Sequence, residues 1–186
     1  MIEREIDVVQ RIANLVRDGG GEPSHHGAFL RLMQLHLELA LADLQVAMAH
    51  IRQRSDVDAK RIVIGGVSRG GILATTYAGL HPQEVVGAIN FVGGWIGAGC
   101  PDAAKINGEL FKRAAAFPQP TLWLYGEDDP YYPIAHSKAN FKVFQSAGGK
   151  GTFDVLLPPK GMDGHGTYTV QRLWGTAVDS YLGALR

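Results

Sequence analysis

Ile2, Ile6, Val9, Ala13 and Val16 recur at intervals of four, three, four and three residues, and the pattern stops at Asp18-Gly19-Gly20-Gly21. That spacing is one face of a helix. Glu22-Pro23-Ser24-His25-His26-Gly27 reads as a loop. A second, longer stripe follows, through Leu30, Met33, Leu37, Leu41, Leu44, Met48 and Ile51, and Leu32, Leu35, Leu39 and Val46 make it broader than one flank of a sheet needs. From Arg61 onward, short apolar, β-rich runs alternate with helical patterns, as the βα units of a parallel sheet do. Strands are predicted at Arg61–Ile64, Val85–Val92, Thr121–Tyr125 and Thr152–Leu157. Helices are predicted at about Gly70–Leu80, Ala103–Ala116, Ile134–Ala147 and Val170–Leu185. The expected organisation is a single α/β domain over 1–186, mainly helical in 1–60, with a βα core in 61–186 and a mostly parallel sheet of about four strands flanked by helices.

The chain has 186 residues, 46% of them hydrophobic, and 18 Lys plus Arg balance 18 Asp plus Glu. A domain of this size removes roughly 70% of its unfolded surface from water, which argues against disorder. Zero net charge leaves no basic field for a phosphate backbone, so nucleic acid is not an expected partner. The lone Cys100 cannot form an intrachain disulfide, and the acids Glu3 and Glu5 stand where a signal peptide would be basic. The stretch from Ala28 to Ile51 is interrupted by Arg31, His36, Glu38, Asp43 and His50, which speaks against a membrane span. The expectation is a soluble, cytoplasmic protein with no membrane partner.

Arg61-Ile62-Val63-Ile64-Gly65-Gly66-Val67-Ser68-Arg69-Gly70-Gly71 reads as a buried strand, a tight turn bearing a serine, and a helix start. Within it, Gly66-x-Ser68-x-Gly70 is the nucleophile-elbow pattern in the strand-turn-helix setting that the pattern requires. The glycines on either side are expected to let the turn pack closely. The Arg69 N–H would open the helix where a developing oxyanion can be stabilised.

A serine hydroxyl needs a base and a group that orients the base. Thr121–Tyr125 runs into Gly126-Glu127-Asp128-Asp129-Pro130, which brings three acids to the sheet edge that carries Ser68; the pattern alone does not rank them. After the last strand, Gly161-Met162-Asp163-Gly164-His165-Gly166-Thr167 offers His165 on a loop free to carry it toward the serine, completing the chain order Ser, acid, His.

These segments make the sequence resemble an α/β-hydrolase, closest to the dienelactone-hydrolase-like esterase branch. The likeness covers about residues 28–186. It rests on Gly66-Val67-Ser68-Arg69-Gly70-Gly71, Asn90-Phe91-Val92-Gly93-Gly94, the run from Pro120 to Pro130, and Gly164-His165. The resemblance implies Ser68 as nucleophile, His165 as general base and Asp129 as the acid, since the family places its acid three residues after the glycine that ends the strand. Dienelactone hydrolases use a cysteine nucleophile, so Ser68 favours an ordinary serine esterase. The family also builds several strands before the nucleophile strand, whereas only 60 residues precede Arg61 here and nearly all read as helix.

A four-strand sheet with the elbow strand at one end leaves an open edge. This suggests a homodimer through the broad apolar face around residues 30–51, or a chain shortened at its start. The glycine-rich stretch Gly19–Gly27 is the candidate source of a second oxyanion donor.

Trp95, Tyr131 and Tyr132 lie beside the catalytic edge and are candidates for lining a substrate pocket, while Trp123 and Trp174 read as core. Cys100 has neither an elbow nor a base. His25 and His26 lack the spacing of a metal site. His36 and His50 read as surface or interface residues, and His81 as a helix-boundary residue. No metal or cofactor is expected. The function expected is hydrolysis of a carboxylic ester or related acyl compound, a small molecule. The alternatives are a peptidase of the prolyl-oligopeptidase type and an inactive shortened hydrolase acting as a scaffold.

Overall fold

The computed structural model of the chain describes residues 25–185. The chain divides into two compact units, Met1–Arg54 and Ser55–Arg186. The helix expected from Ile2 to Val16 lies outside the described residues. In the first unit, helix α1 spans His25–Arg52. It starts earlier than expected, because His25, His26 and Gly27 extend the helix by a turn instead of ending the loop. The glycines and proline that suggested a loop lie upstream, and neither histidine nor a single glycine excludes helical backbone. Among the described residues, no helix is long and apolar enough to cross a membrane.

The second unit runs β1 (Val63–Val67), α2 (Arg69–Leu80), β2 (Gly87–Phe91), α3 (Ala103–Ala114), β3 (Thr121–Gly126), α4 (Ile134–Ser146), β4 (Gly151–Leu156), two 3-10 turns (Gly164–Thr169 and Gln171–Leu173) and α5 (Gly175–Ala184). The four strands form one sheet in the order β1-β2-β3-β4, every pair parallel. This is the expected architecture, with β1 at one end of the sheet.

β1 begins two residues later than the apolar run suggests and continues through both glycines. Gly65 pairs with Ile89, Gly66 with Asn90 and Val67 with Phe91; the ladder to β2 overrides glycine's poor strand propensity. Strand β2 is shorter than expected, yet the Val86 N–H donates to Ile62 O at 2.8 Å and the Val92 N–H to Leu124 O at 2.8 Å, so hydrogen bonding spans nearly the whole run.

The expected helix over 170–185 becomes a 3-10 turn and then α5. Val170 adopts φ −109° and ψ 83°, which breaks the helical path. The Trp174 indole N–H is drawn to Tyr168 O at 2.9 Å.

Period-2 alternation along β3 divides the core. Leu122 and Leu124 join Ile89 and Leu156 on one face, covered by Ala177, Val178 and Tyr181 of α5. Trp123 points to the other face, fully buried, with ring centroids 4.6 Å from Phe111 of α3 and 5.0 Å from Phe141 and Phe144 of α4. Its indole N–H donates to Thr121 Oγ1 at 2.8 Å, so the polar tip is satisfied. Trp174 is half-buried and packs edge-on against Phe91 at 5.1 Å. Helices thus cover both faces and leave the strands' carboxyl ends to loops, where open α/β sheets carry their sites.

Removing the ring at the centre of this cluster leaves a cavity that three aromatic neighbours cannot close. Trp123→Ala is expected to lower the unfolding free energy by about 3–5 kcal/mol, measured by urea denaturation followed by far-ultraviolet circular dichroism.

Candidate active site

Ser68 stands between the end of β1 and the first residue of α2, with φ 56° and ψ −123°. A non-glycine residue holds such backbone only when its surroundings over-determine it. Here they do. The Ser68 N–H donates to Phe91 O at 2.9 Å, and its carbonyl accepts from the N–H groups of Gly71 at 2.9 Å, Gly94 at 3.3 Å and Ile72 at 3.4 Å.

Gly66 is required for this turn, since a Cβ there would collide with the Gly70 carbonyl. Gly70 itself faces open space. The expectation that both glycines flanking the serine serve close packing is therefore corrected: the second close approach is at Gly71, where a Cβ would meet Asn90 Oδ1. Arg69 is the first residue of α2, and the N–H of such a residue has no carbonyl one turn earlier to bind.

The acid loop and the histidine loop meet backbone to backbone. A Cβ on Gly126, at the end of β3, would strike the Gly164 backbone, and a Cβ on Gly164 would strike Glu127 O and Asp129 N. Asp128 turns the chain at φ 58°, and the Gly164 N–H donates to its carbonyl at 3.3 Å.

Of the three acids, Glu127 is half-buried, Asp128 exposed and Asp129 buried at 2% exposure. Asp129 Oδ1 accepts from the N–H groups of Tyr131 at 2.8 Å and Tyr132 at 2.9 Å. Its Oδ2 lies 2.9 Å from His165 Nδ1. A carboxylate in this position accepts from Nδ1–H, which in the neutral imidazole is the tautomer that leaves the Nε2 lone pair free. His165 is not on a free loop as expected. It belongs to the turn Gly164–Thr169, held by Asp163 Oδ1 accepting from the Gly166 N–H at 3.0 Å and by Thr167 Oγ1 donating to Gly164 O at 2.7 Å.

Tyr131, 56% exposed, stands edge-on to the His165 ring at 4.9 Å. Tyr132 is buried, with its ring 5.8 Å from that of His165 and its hydroxyl donating to Gly94 O at 2.7 Å. Burial pushes the Tyr132 phenol up, and nearness to the Ser68 hydroxyl and the charge of Arg69 work in the opposite direction. Trp95 is buried beneath the Arg69 side chain, whose Nε donates to Trp95 O at 3.3 Å. Ser68, Arg69, Trp95, Asp129, Tyr131, Tyr132 and His165 thus share one sheet edge. Cys100, half-buried in the loop before α3, has no role in these contacts. The glycine-rich stretch considered for a second donor lies outside the described residues up to Ser24, and His25–Gly27 open α1.

Of two site-supporting residues, Asn107 went unnoticed in the sequence, and Asn90 was named there only within a segment that carries the family resemblance. Asn107 of α3 accepts from the N–H groups of Trp95 at 2.9 Å and Ile96 at 3.1 Å, and donates to Ile96 O at 2.8 Å. Its amide also lies 3.2 Å from His136 Nε2; burial pushes that imidazole below its usual range. Asn90 donates to the Tyr125 hydroxyl at 3.1 Å, which donates to Gly93 O at 2.6 Å. An asparagine inside the apolar run Val85–Val92 was the one available signal, because buried polar groups need partners.

Residues 40–161, more than half of the chain, match the family model for phospholipase/carboxylesterase. The chain belongs to the phospholipase/carboxylesterase family. The family assignment agrees with the α/β-hydrolase resemblance read from the sequence. No curated protein matches the chain.

Among solved structures, this phospholipase/carboxylesterase family member is similar to a thermostable esterase, at 22% identity and TM-score 0.53 over 79% of this chain and 36% of that one. It is also similar to an esterase from Pyrococcus furiosus, at 12% identity and TM-score 0.59 over 77% and 61%. A third is a candidate dienelactone hydrolase from Klebsiella pneumoniae, at 20% identity and TM-score 0.53 over 75% and 58%. At these identities the likeness establishes the α/β-hydrolase fold. The chain spans 36% to 61% of the lengths of these three proteins.

The two glycines of the elbow separate cleanly by experiment. Gly66→Ala is expected to destabilise this family member by more than about 2 kcal/mol through overpacking. Gly70→Ala, in open space on the first turn of α2, should be neutral or stabilising by up to about 1 kcal/mol. Urea midpoints of the two variants measure the contrast.

Proposed function

We propose that this phospholipase/carboxylesterase family member is a serine hydrolase that cleaves a small-molecule carboxylic ester through an acyl-enzyme. Ser68 Oγ attacks the carbonyl carbon while His165 Nε2 takes its proton, and Asp129 holds the imidazole in the tautomer that leaves Nε2 free. The Arg69 N–H, at the positive end of α2, donates to the tetrahedral oxyanion. His165 then returns the proton to the departing alcohol. Water attacks the acyl-Ser68 ester by the same route, releasing the carboxylic acid and restoring Ser68. Tyr131 offers the exposed wall against which the substrate lies, backed by the buried rings of Tyr132 and Trp95. No step calls for a group other than these side chains and water.

The observation that carries this reading is the 2.9 Å contact between buried Asp129 and His165 Nδ1, at the sheet edge where β1 delivers Ser68 in its constrained turn. A carboxylate buried this deeply, with Oδ1 filled by two amides, is built to hold one partner in one orientation. In a merely solvated turn, Asp129 would be as exposed as Asp128.

A fluorophosphonate probe is expected to label Ser68 stoichiometrically in the wild type, and to leave Ser68→Ala unlabelled, as read by intact mass and peptide mapping. Absence of an adduct on the folded wild-type protein would reject the hydrolase reading.

Turnover of p-nitrophenyl esters separates the acids. Asp129→Asn should reduce kcat by about 10³-fold or more, whereas Asp128→Asn and Glu127→Gln should stay within about threefold of wild type, since it is Asp129 that lies against His165 Nδ1. Equal losses in all three variants would reject Asp129 as the orienting acid.

A further inference from the structure

Arg69 is unusual in its setting. It directly follows Ser68 and is the first residue of α2, whose first turn contains no acid. A cation there opposes the helix dipole, which favours negative charge at an N-terminus. Among the described residues, Arg69 takes part in no ion pair that would compensate. Asp129, the buried acid of the site, is committed to His165 and to the Tyr131 and Tyr132 amides.

The side chain is nevertheless held. Its Nε donates to Trp95 O at 3.3 Å, and its Cζ lies 5.5 Å from the centre of the Trp95 ring. The platform beneath it is fixed in turn, because Trp95 is buried and Asn107 binds its amide. The preceding carbonyl, Gly94 O, holds the Tyr132 hydroxyl. Two adjacent carbonyls of one loop therefore anchor the guanidinium and the phenol that stands at Ser68. With Nε engaged and the residue exposed, the terminal guanidinium nitrogens are the donors left for a ligand.

We infer that Arg69 selects substrates by charge: the preferred ester carries a carboxylate on the part of the molecule that reaches the exposed side of the Arg69 guanidinium, next to Ser68. This rests on the hydrolase reading of Ser68 and adds the substrate class. A planar guanidinium, always charged and offering paired donors, suits a carboxylate far better than a neutral ester chain. The charge is also felt at the site itself, where it acts on the Tyr132 phenol. A cation held on a rigid platform costs little to organise when the ligand arrives, and a substrate carboxylate would supply the compensation that the fold withholds.

The test compares mono(p-nitrophenyl) adipate with its methyl ester, a substrate pair that differs by one negative charge remote from the scissile bond. The ratio of their kcat/KM values is taken within each protein, so a change common to both substrates cancels. The wild type is expected to favour the mono-acid by about tenfold. Arg69→Gln should bring the ratio to near one, and Arg69→Lys should retain part of it. In the wild type alone, raising the ionic strength from about 0.05 to 0.5 M should shrink the ratio, because an exposed charge contact is screened.

A wild-type ratio near one, or a ratio unchanged in Arg69→Gln, overturns the inference while turnover itself leaves the hydrolase reading standing. Equal loss on both esters with the ratio preserved shows Arg69 acting on the reaction or the fold, and likewise overturns it. No turnover of either ester, together with no fluorophosphonate adduct on Ser68, removes the hydrolase reading and this inference with it.

Discussion

Close approach of one stretch of backbone to another, possible only where a Cβ is missing, governs how this site is assembled. At Gly66 the elbow folds back against the Gly70 carbonyl. At Gly126 and Gly164 the chain leaving β3 and the chain entering the histidine turn press together with no side chain between them. The first contact holds Ser68 in backbone that an ordinary residue avoids. The second sets the reach between Asp129 and His165, for a Cβ at either glycine would force the two loops apart. The 2.9 Å contact between acid and imidazole therefore depends on atoms that are absent as much as on those that are present.

The loop after β2 has a comparable role on the other side of the serine. Its successive backbone groups are each claimed. Gly93 O accepts from Tyr125, Gly94 O from Tyr132 and Trp95 O from Arg69, while the Trp95 and Ile96 amides donate to Asn107. Gly94 also donates to Ser68 O. Such a loop holds the phenol of Tyr132 and the guanidinium of Arg69 in fixed relation to Ser68, because moving it would leave several buried groups without partners.

Parallel strands aligned at one carboxyl edge explain how residues as distant in sequence as 68, 129 and 165 come to the same edge of the sheet. β1 delivers Ser68, β3 delivers Asp129, and the chain after β4 delivers His165, with every strand running the same way. In the described chain Ser68 takes its strand-side hydrogen bonds from β2 and its following loop, through Phe91 and Gly94. The Asp129 and His165 loops lie beyond β2 on the same side, toward β3 and β4. The helices on both faces bury Trp123 and the leucines of β3, which fixes the edge from which the loops project.

Local chemistry was enough to read much of this from the sequence. The alternation of β-rich runs with helical spacing defined four parallel strands, and Gly66-x-Ser68-x-Gly70 after an apolar run defined the elbow, because turn geometry depends on residues close in the chain. The same locality explains the errors. Glycine's intrinsic preference argued against a strand through Gly65 and Gly66, but pairing with β2 decided otherwise. Both flanking glycines looked equally necessary, yet only the packed structure distinguishes Gly66, which meets a carbonyl, from Gly70, which meets nothing. Three neighbouring acids carry the same charge in sequence; burial and distance, which are properties of the assembled loops, separate Asp129 from Asp128 and Glu127. Asn107 and the Trp95 platform under Arg69 were invisible for the same reason, since the partners of a buried amide or a guanidinium are chosen by tertiary approach across dozens of residues. The sequence by itself determined the elements and the chemistry available at their ends, and the tertiary structure decided which of those groups meet, because only folding converts separation along the chain into contact.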